Sequence, residues 1–269
     1  MKNSVCVVGA VGVLVASRAL AGVFAGSVVS YSAGSGVNPA YTNSASALGE
    51  PTRFTGVGVF PGAVTPFNPA YLDNEVVQVG RGGSLVVKFD HAVTDDPANP
   101  YGIDLLVFGN SFFFDASYPS GIAAGVYSGG GRVEVSADGD DWKLITGVAA
   151  DSAFPTLGYS DLTDAYSLTP GSVLSDFTRP VNPAFDPIGR TFAEISAAYA
   201  GSGGGTGIDL ATVGLASAQY VRITTDMNSP TIPSIDGFSD VAAVPAPGGV
   251  ALVFLGLARR ARRRASCAA

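Results

Sequence analysis

The middle of this 269-residue chain lacks cysteine and is poor in basic residues. Its two cysteines, Cys6 and Cys267, lie near the ends, so we expect no disulfide between them to stabilise the middle. Seven of the 15 lysines and arginines also lie near the ends, which leaves eight basic and all 22 acidic residues in the middle, a net charge of −14. Because so acidic a body cannot neutralise phosphates, we expect no binding to nucleic acid.

Histidine is nearly absent, which limits the catalytic chemistry open to the chain. His91 stands alone, so a zinc site built from several histidines is excluded and any Ser-His-Asp triad would have to use it. Two carboxylates could still form a glycosidase site, but the four glutamates (Glu50, Glu75, Glu134 and Glu194) share no sequence context. We therefore expect a protein that is not an enzyme, with a glycoside hydrolase as an alternative.

No apolar run reaches the roughly 20 residues that a spanning helix needs. The N-terminus instead has Lys2, then the apolar segment Val5–Ala16, and then Ala19-Leu20-Ala21, which is typical of a signal-peptidase cleavage site. This order predicts a signal peptide over residues 1–21 and an exported protein.

Residues 244–269 form a short hydrophobic tail that has the pattern of a second targeting signal. Val244-Pro245-Ala246-Pro247 precedes the apolar run Gly248–Ala258 and a cluster of five arginines. Positive charge after an apolar run stays on the cytoplasmic side of a membrane. This order resembles the PEP-CTERM sorting signal of bacterial envelope proteins, with alanine at position 246 where that signal has glutamate. The resemblance implies export and C-terminal sorting machinery as partners, transient membrane contact, and a location at the bacterial cell envelope, cell surface or extracellular matrix.

Turn residues are abundant between residues 26 and 243, and short strand patterns recur among them. Strands are predicted at Ser84–Phe89, Ile103–Phe108 (buried on both faces), Arg132–Ser136, Trp142–Ile145 and Gln219–Thr224. The Asp138-Gly139 turn predicts a hairpin between the third and fourth of these strands. Thr191 and Glu194 have capping-box spacing, which predicts a short helix over Thr191–Ala200. The fold class predicted is therefore all-β, an antiparallel jelly-roll β-sandwich with one short helix.

Three of these segments resemble the discoidin-like, galactose-binding-like β-sandwiches. The stretch RVEVSADGDDWKLI (132–145) is similar to their central hairpin, AQYVRITT (218–225) to their penultimate strand, and IDGFSDVAAV (235–244) to their last strand. Residues 146–217 would be a long insertion by the standard of that family. The resemblance implies a surface module that binds a ligand without catalysis.

Aspartate accounts for 18 of the acidic residues, and it is common in both turns and calcium loops. In the loop DDPANPYGID the candidate calcium ligands are Asp95, Asp96, Asn99 and Asp104. Neither this loop nor SADGDD, with Asp138, Asp140 and Asp141, has EF-hand spacing. The sequence leaves calcium and an ordinary turn as alternatives for the first loop, whereas an Asp-Gly hairpin turn accounts for the second.

Aromatic residues near loops are candidates for stacking on sugar rings. Those singled out are Phe112, Phe113, Phe114, Tyr118, Tyr159 and Tyr166. Three consecutive phenylalanines in a strand would place one on the opposite face from the others, and we expect at least two of them in the core. The function expected is a glycan-binding module whose partner is extracellular or envelope polysaccharide. A structural matrix protein without a specific ligand is the alternative.

Overall fold

The computed structural model describes residues 22–152 and 154–241, which form antiparallel β-sheets and one α-helix. The strands are β1 Ser27–Ser32, β2 Phe54–Thr55, β3 Gly62–Ala63, β4 Val77–Gln78, β5 Ser84–Thr94, β6 Leu105–Gly109, β7 Phe112–Asp115, β8 Ala123–Tyr127, β9 Arg132–Ser136, β10 Lys143–Ile145, β11 Thr206–Ile208, β12 Ser217–Thr224 and β13 Ser234–Asp240, and the helix α1 is Phe192–Tyr199. The predicted signal peptide (1–21) and sorting tail (244–269) lie outside the described residues. Within those residues, no helix has both the length and the apolar character needed to cross a membrane.

Two antiparallel sheets enclose the main core in a sandwich-like arrangement. One has the strand order β1-β5-β12-β9-β10 and the other β11-β6-β13-β4. Apolar side chains from both sheets meet between them, including Leu85 and Val87 from β5, Leu105 and Val107 from β6, and Phe238 from β13. The prediction of an all-β architecture with antiparallel sheets and one helix is confirmed.

The four-stranded sheet is buried on both faces. Leu105 and Val107 of β6 point into the core between the sheets, whereas Leu106 and Phe108 point the other way. On that outer side Phe108 packs edge-on against Phe177, with ring centroids 5.1 Å apart. This arrangement explains why the apolar run 103–108 shows no alternation with polar residues, and it confirms the predicted burial of both faces.

A third layer covers the outer face of the four-stranded sheet and contains α1 and the β7–β8 hairpin. Phe67, Phe113, Phe192, Ile195 and Tyr199 form its core. The predicted capping box is present, because the Thr191 hydroxyl accepts from the Glu194 N–H and the Glu194 carboxylate accepts from the Thr191 N–H. The helix ends at Tyr199, and the next residue, Ala200, has a left-handed φ of 51°.

Local patterns located several strands correctly. The predicted β9–β10 hairpin is present, with Lys143 opposite Val135 and Ile145 opposite Val133. The strand predicted at Ser84–Phe89 continues to Thr94 as β5. The β7–β8 hairpin was not predicted, because Ala123–Tyr127 combines small, glycine and aromatic residues without a clear alternation.

Candidate functional site: an aromatic groove and an acidic cluster

A groove of about 480 Å³ opens on the third layer, and exposed apolar side chains line it. Its lining residues are Phe60, Pro61, Gly62, Asn68, Tyr118, Tyr166 and Leu168. Phe60 is 80% exposed, and Tyr118 and Leu168 are each 76% exposed. Exposing such large apolar side chains to water is unfavourable, and here they lie together around one groove.

The loop that carries Phe60 is held in a fixed shape. Gly56 has a φ of +72°, and a Cβ atom there would lie 2.0 Å from the Phe60 carbonyl oxygen. The Val59 N–H donates to the Gly56 carbonyl, and the Tyr71 hydroxyl donates to the Phe60 carbonyl at 3.0 Å. Only glycine at position 56 allows so tight a turn, which places the Phe60 ring beside the groove.

Tyr118 and Tyr166 form a second part of the wall. Their ring centroids are 4.8 Å apart at an interplanar angle of 65°. The Tyr166 hydroxyl donates to Asp115 Oδ2 at 3.2 Å, and Asp115 also accepts three backbone N–H groups, from Ser117, Gly121 and Ile122. Desolvation acts to raise the pKa of Asp115, but these donors outweigh it and hold the pKa below its ordinary value.

The aromatic residues that the sequence offers for stacking on a sugar lie in several different environments. Tyr118 lines the groove, whereas Phe112 and Phe114 lie on the outward face of the β7–β8 hairpin beside Tyr127, with Phe112 and Tyr127 stacked at 5.2 Å. Phe113 is 1% exposed and packs on Phe67, and Tyr159 is 9% exposed. Neither of these two presents an open ring face to a ligand.

Sequence reasoning missed Phe60, Asn68 and Leu168. Phe60 lies within the stretch GVGVFPG, in which glycines interrupt an apolar segment that is too short for a helix. An apolar segment broken in this way indicates an exposed loop with apolar side chains, and that signal could have identified Phe60. Asn68 and Leu168 carry no comparable local signal.

A separate acidic cluster lies where the β5–β6 loop meets the β11–β12 connection. Carboxylate oxygens of Asp95, Asp104 and Asp209 lie within 4.8 Å of one another. Asp104 is buried and accepts from the Asp96 N–H, the Asn99 side-chain amide and the Leu210 N–H. Asp95 is exposed, and desolvation together with the charges of Asp104, Asp209 and Asp96 raises its pKa.

Two of the four predicted calcium ligands, Asp95 and Asp104, belong to this cluster. Asp96 and Asn99 instead donate hydrogen bonds to Asp104, at 3.1 and 2.9 Å. Three carboxylates suit the preference of calcium for oxygen, although they supply only part of its six to eight ligands. In the other loop, Asp138 Oδ1 accepts from the Ser136 hydroxyl and from the Asp140 and Asp141 N–H groups, which is the pattern of a closed turn.

His91 lies between two carboxylates, those of Asp90 and Asp240. Its Nδ1 is 2.7 Å from Asp90 Oδ1, and its Nε2 is 2.8 Å from Asp240 Oδ2, so it links β5 to β13. Burial acts to lower the pKa of His91, but the hydrogen bonds to both carboxylates outweigh it and raise the pKa.

The chain matches no protein-family model, and no curated protein is significantly similar to it.

Proposed function

We propose that this protein is an exported, non-catalytic glycan-binding protein of the bacterial cell surface or extracellular matrix, and that a saccharide binds in the aromatic groove. The observation that carries the proposal is the exposure of Phe60 and Tyr118 around one groove. Aromatic rings with a few polar groups, here the Asn68 amide and the tyrosine hydroxyls, are typical of ligand sites. The groove volume of about 480 Å³ also falls in the range of such sites.

Binding without hydrolysis is favoured by the chemistry of the lining. A glycosidase needs two carboxyl groups about 5 to 10 Å apart, one on each side of the scissile bond. None of the described residues that line the groove is aspartate or glutamate. Asp115 lies behind the wall, where it accepts the Tyr166 hydroxyl.

The jelly-roll topology and the surface location belong to the same proposal. The three segments that resemble galactose-binding-like sandwiches fall on the β9–β10 hairpin, on β12 and on β13. The five-stranded and four-stranded antiparallel sheets support a jelly roll. The signal-peptide pattern in residues 1–21 and the sorting pattern in residues 244–269 support export and retention at the envelope.

Calcium is the ion that we propose for the acidic cluster. Desolvation and the repulsion from neighbouring carboxylates together raise the pKa of Asp95, and a cation there would offset the repulsion. The cation would also link the β5–β6 loop to the connection that carries Asp209. The cluster shares no residue with the groove, so we assign the ion a stabilising role.

A structural matrix protein is the second candidate, because the β7–β8 hairpin exposes an aromatic face. Phe114 is 50% exposed, and its ring packs against Phe112, which in turn stacks on Tyr127. Such a face could pack against other copies of the chain. Concentration-dependent self-association that Phe114→Ala abolishes would favour this role.

The test is co-sedimentation of the exported protein with polysaccharide from its host's envelope and matrix. Loss of the Tyr118 ring should weaken binding about tenfold or more, since tyrosine is a frequent hot-spot residue. The matched control is Phe114→Ala, which removes an exposed ring outside the groove. Binding that Tyr118→Ala leaves unchanged, or that no tested polysaccharide supports, would refute the assignment.

A further inference from the structure

A second cleft, of about 390 Å³, lies on the outer face of the five-stranded sheet. Its floor consists of Val86 from β5 and of Tyr220 and Arg222 from β12. Its walls are Val29 and Ser30 on one side and Asp138, Gly139, Asp140 and Trp142 on the other. The cleft therefore combines two aromatic side chains with carboxylate and hydroxyl groups.

The indole of Trp142 is fixed in place by its neighbours. Arg222 donates from Nε and Nη2 to the two Glu134 carboxylate oxygens at 2.8 and 2.7 Å, in a bidentate pair across β12 and β9. The guanidinium lies 4.2 Å from the centre of the Trp142 ring system. Because both partners are held, Trp142 is ordered before any ligand arrives, which lowers the entropy cost of binding.

The turn that forms the cleft wall is also closed by internal hydrogen bonds. Backbone N–H groups of Asp141 and Asp140 and the Ser136 hydroxyl hold the pKa of Asp138 at about 2, so this carboxylate is ionised at neutral pH. Gly139 has a φ of +89°, and a Cβ atom there would lie 3.3 Å from the Tyr220 ring. The turn thus folds directly onto the floor of the cleft.

The cleft and the aromatic groove are lined by different elements of the fold. The cleft is on the solvent side of the five-stranded sheet, and the groove is on the third layer, beyond the four-stranded sheet. They share no lining residue, so two separate chains of a polymer can occupy them at the same time.

We propose that the Trp142–Tyr220 cleft is a second saccharide site, so that one molecule holds two polysaccharide strands and cross-links them. This inference rests on the proposed function of the groove. Asp138 and Asp140 supply acceptors for sugar hydroxyls, and the Trp142 ring supplies an apolar surface. Glu134 balances the charge of Arg222, and the Lys88 ammonium lies 5.0 Å from the centre of the Tyr220 ring. The carboxylates of Asp138 and Asp140 outnumber this one remaining cation, so the cleft is net negative and should select neutral or amino sugars over acidic ones.

Cross-linking is measured as the rise in turbidity when the protein is added to a suspension of beads coated with neutral polysaccharide from the host's matrix. Beads coated with polygalacturonate serve as the acidic comparison. Binding to one strand is measured separately by co-sedimentation. Four single variants are compared with the wild type: Tyr118→Ala in the groove, Trp142→Ala and Asp140→Asn in the cleft, and Phe114→Ala as the control. The Tyr118→Ala/Trp142→Ala double variant is measured beside them. Asp140→Asn alters an exposed turn side chain, so it tests the cleft even if Trp142→Ala fails to fold.

We expect Tyr118→Ala and the cleft variants each to reduce cross-linking at least tenfold. Binding to single strands should be weakened by each variant but should not be abolished, because the other site remains. The Tyr118→Ala/Trp142→Ala double variant should lose both activities. If Tyr118→Ala alone abolishes binding and the cleft variants cross-link like the wild type, the cleft assignment is wrong and the groove assignment stands. If the cleft variants abolish binding and Tyr118→Ala has no effect, the groove assignment is wrong instead. A wild-type protein that binds but never cross-links would refute the proposal that one molecule holds two polysaccharide strands.

Discussion

Raising the pH from 5 to 8 should destabilise the protein, because two buried carboxyl groups would have to lose their protons. Asp151 accepts the Ser111 N–H at 2.7 Å and the Ser234 N–H at 3.1 Å, and Asp236 accepts the backbone N–H and the hydroxyl of Thr52. Burial raises the pKa of each carboxyl to about 7, even though these hydrogen bonds oppose the shift.

The sign follows from the difference between the folded and unfolded states. An unfolded aspartate ionises near pH 3.8, whereas the folded groups keep their protons to about pH 7. The stability that depends on these protonated carboxyls is therefore fully present below pH 3.8 and is lost as the pH rises through 7. Between pH 5 and pH 8 the loss is about 2 to 3 kcal/mol for each carboxyl by proton linkage. The pKa of His91 is also raised, so protonated His91 stabilises the folded state. This contribution is likewise lost as the pH rises above the ordinary pKa of histidine.

Urea unfolding at pH 5, 6.5 and 8, followed by circular dichroism, measures this loss. Asp151→Asn replaces the carboxyl by its neutral isostere and should remove about half of the pH dependence, whereas the exposed Asp140→Asn should leave it intact. Acidic residues whose pKa is lowered, such as Asp115 and Asp138, are ionised in both states above pH 5 and do not contribute there. Equal or greater stability of the wild type at pH 8 than at pH 5 would refute the reasoning.

Three further predictions concern stability. Millimolar calcium should raise the melting temperature, and a chelator or Asp95→Asn should remove the increase; a temperature that never responds to calcium would contradict the ion assignment. Phe113→Ala should cost about 3 to 5 kcal/mol in urea unfolding and Phe114→Ala less than about 1 kcal/mol, because only Phe113 is buried; similar losses would contradict this difference. Gly203→Ala should cost about 1 to 3 kcal/mol, since its Cβ would lie 2.1 Å from Phe177, and Gly26→Ala, with open space around it, should be neutral in the same assay.

The sequence predicted best those elements whose determinants are local. In the β9–β10 hairpin, the Asp138-Gly139 turn and the alternation of Val133 and Val135 lie within one short stretch. The helix was recognisable for the same reason, since Thr191 and Glu194 are three positions apart.

The candidate site was less predictable because tertiary contacts assemble it. Phe60, Tyr118, Tyr166 and Leu168 come from three distant segments that meet only in the folded chain. Asp209 stands more than 100 residues after Asp104, so no spacing rule could join it to the acidic loop. Phe112, Phe113 and Phe114 are identical in type, and only the direction of β7 decides which of them is buried.

Residues 23–25 and the end of β13 lie side by side on the sandwich. The Asp240 N–H donates to the Val23 carbonyl at 2.8 Å, and the segment from Gly22 to Gly26 crosses from β13 to β5 through the hydrogen bonds of Ala25 and Gly26. Ends that adjoin allow a domain to be inserted into a surface loop of another protein. They also allow the two ends to be joined and new ends to be opened at an exposed loop away from the groove and the cleft. Fused in tandem by short linkers, copies of this domain would present their clefts and grooves in a repeating array, which makes the fold a ready building block for engineered scaffolds.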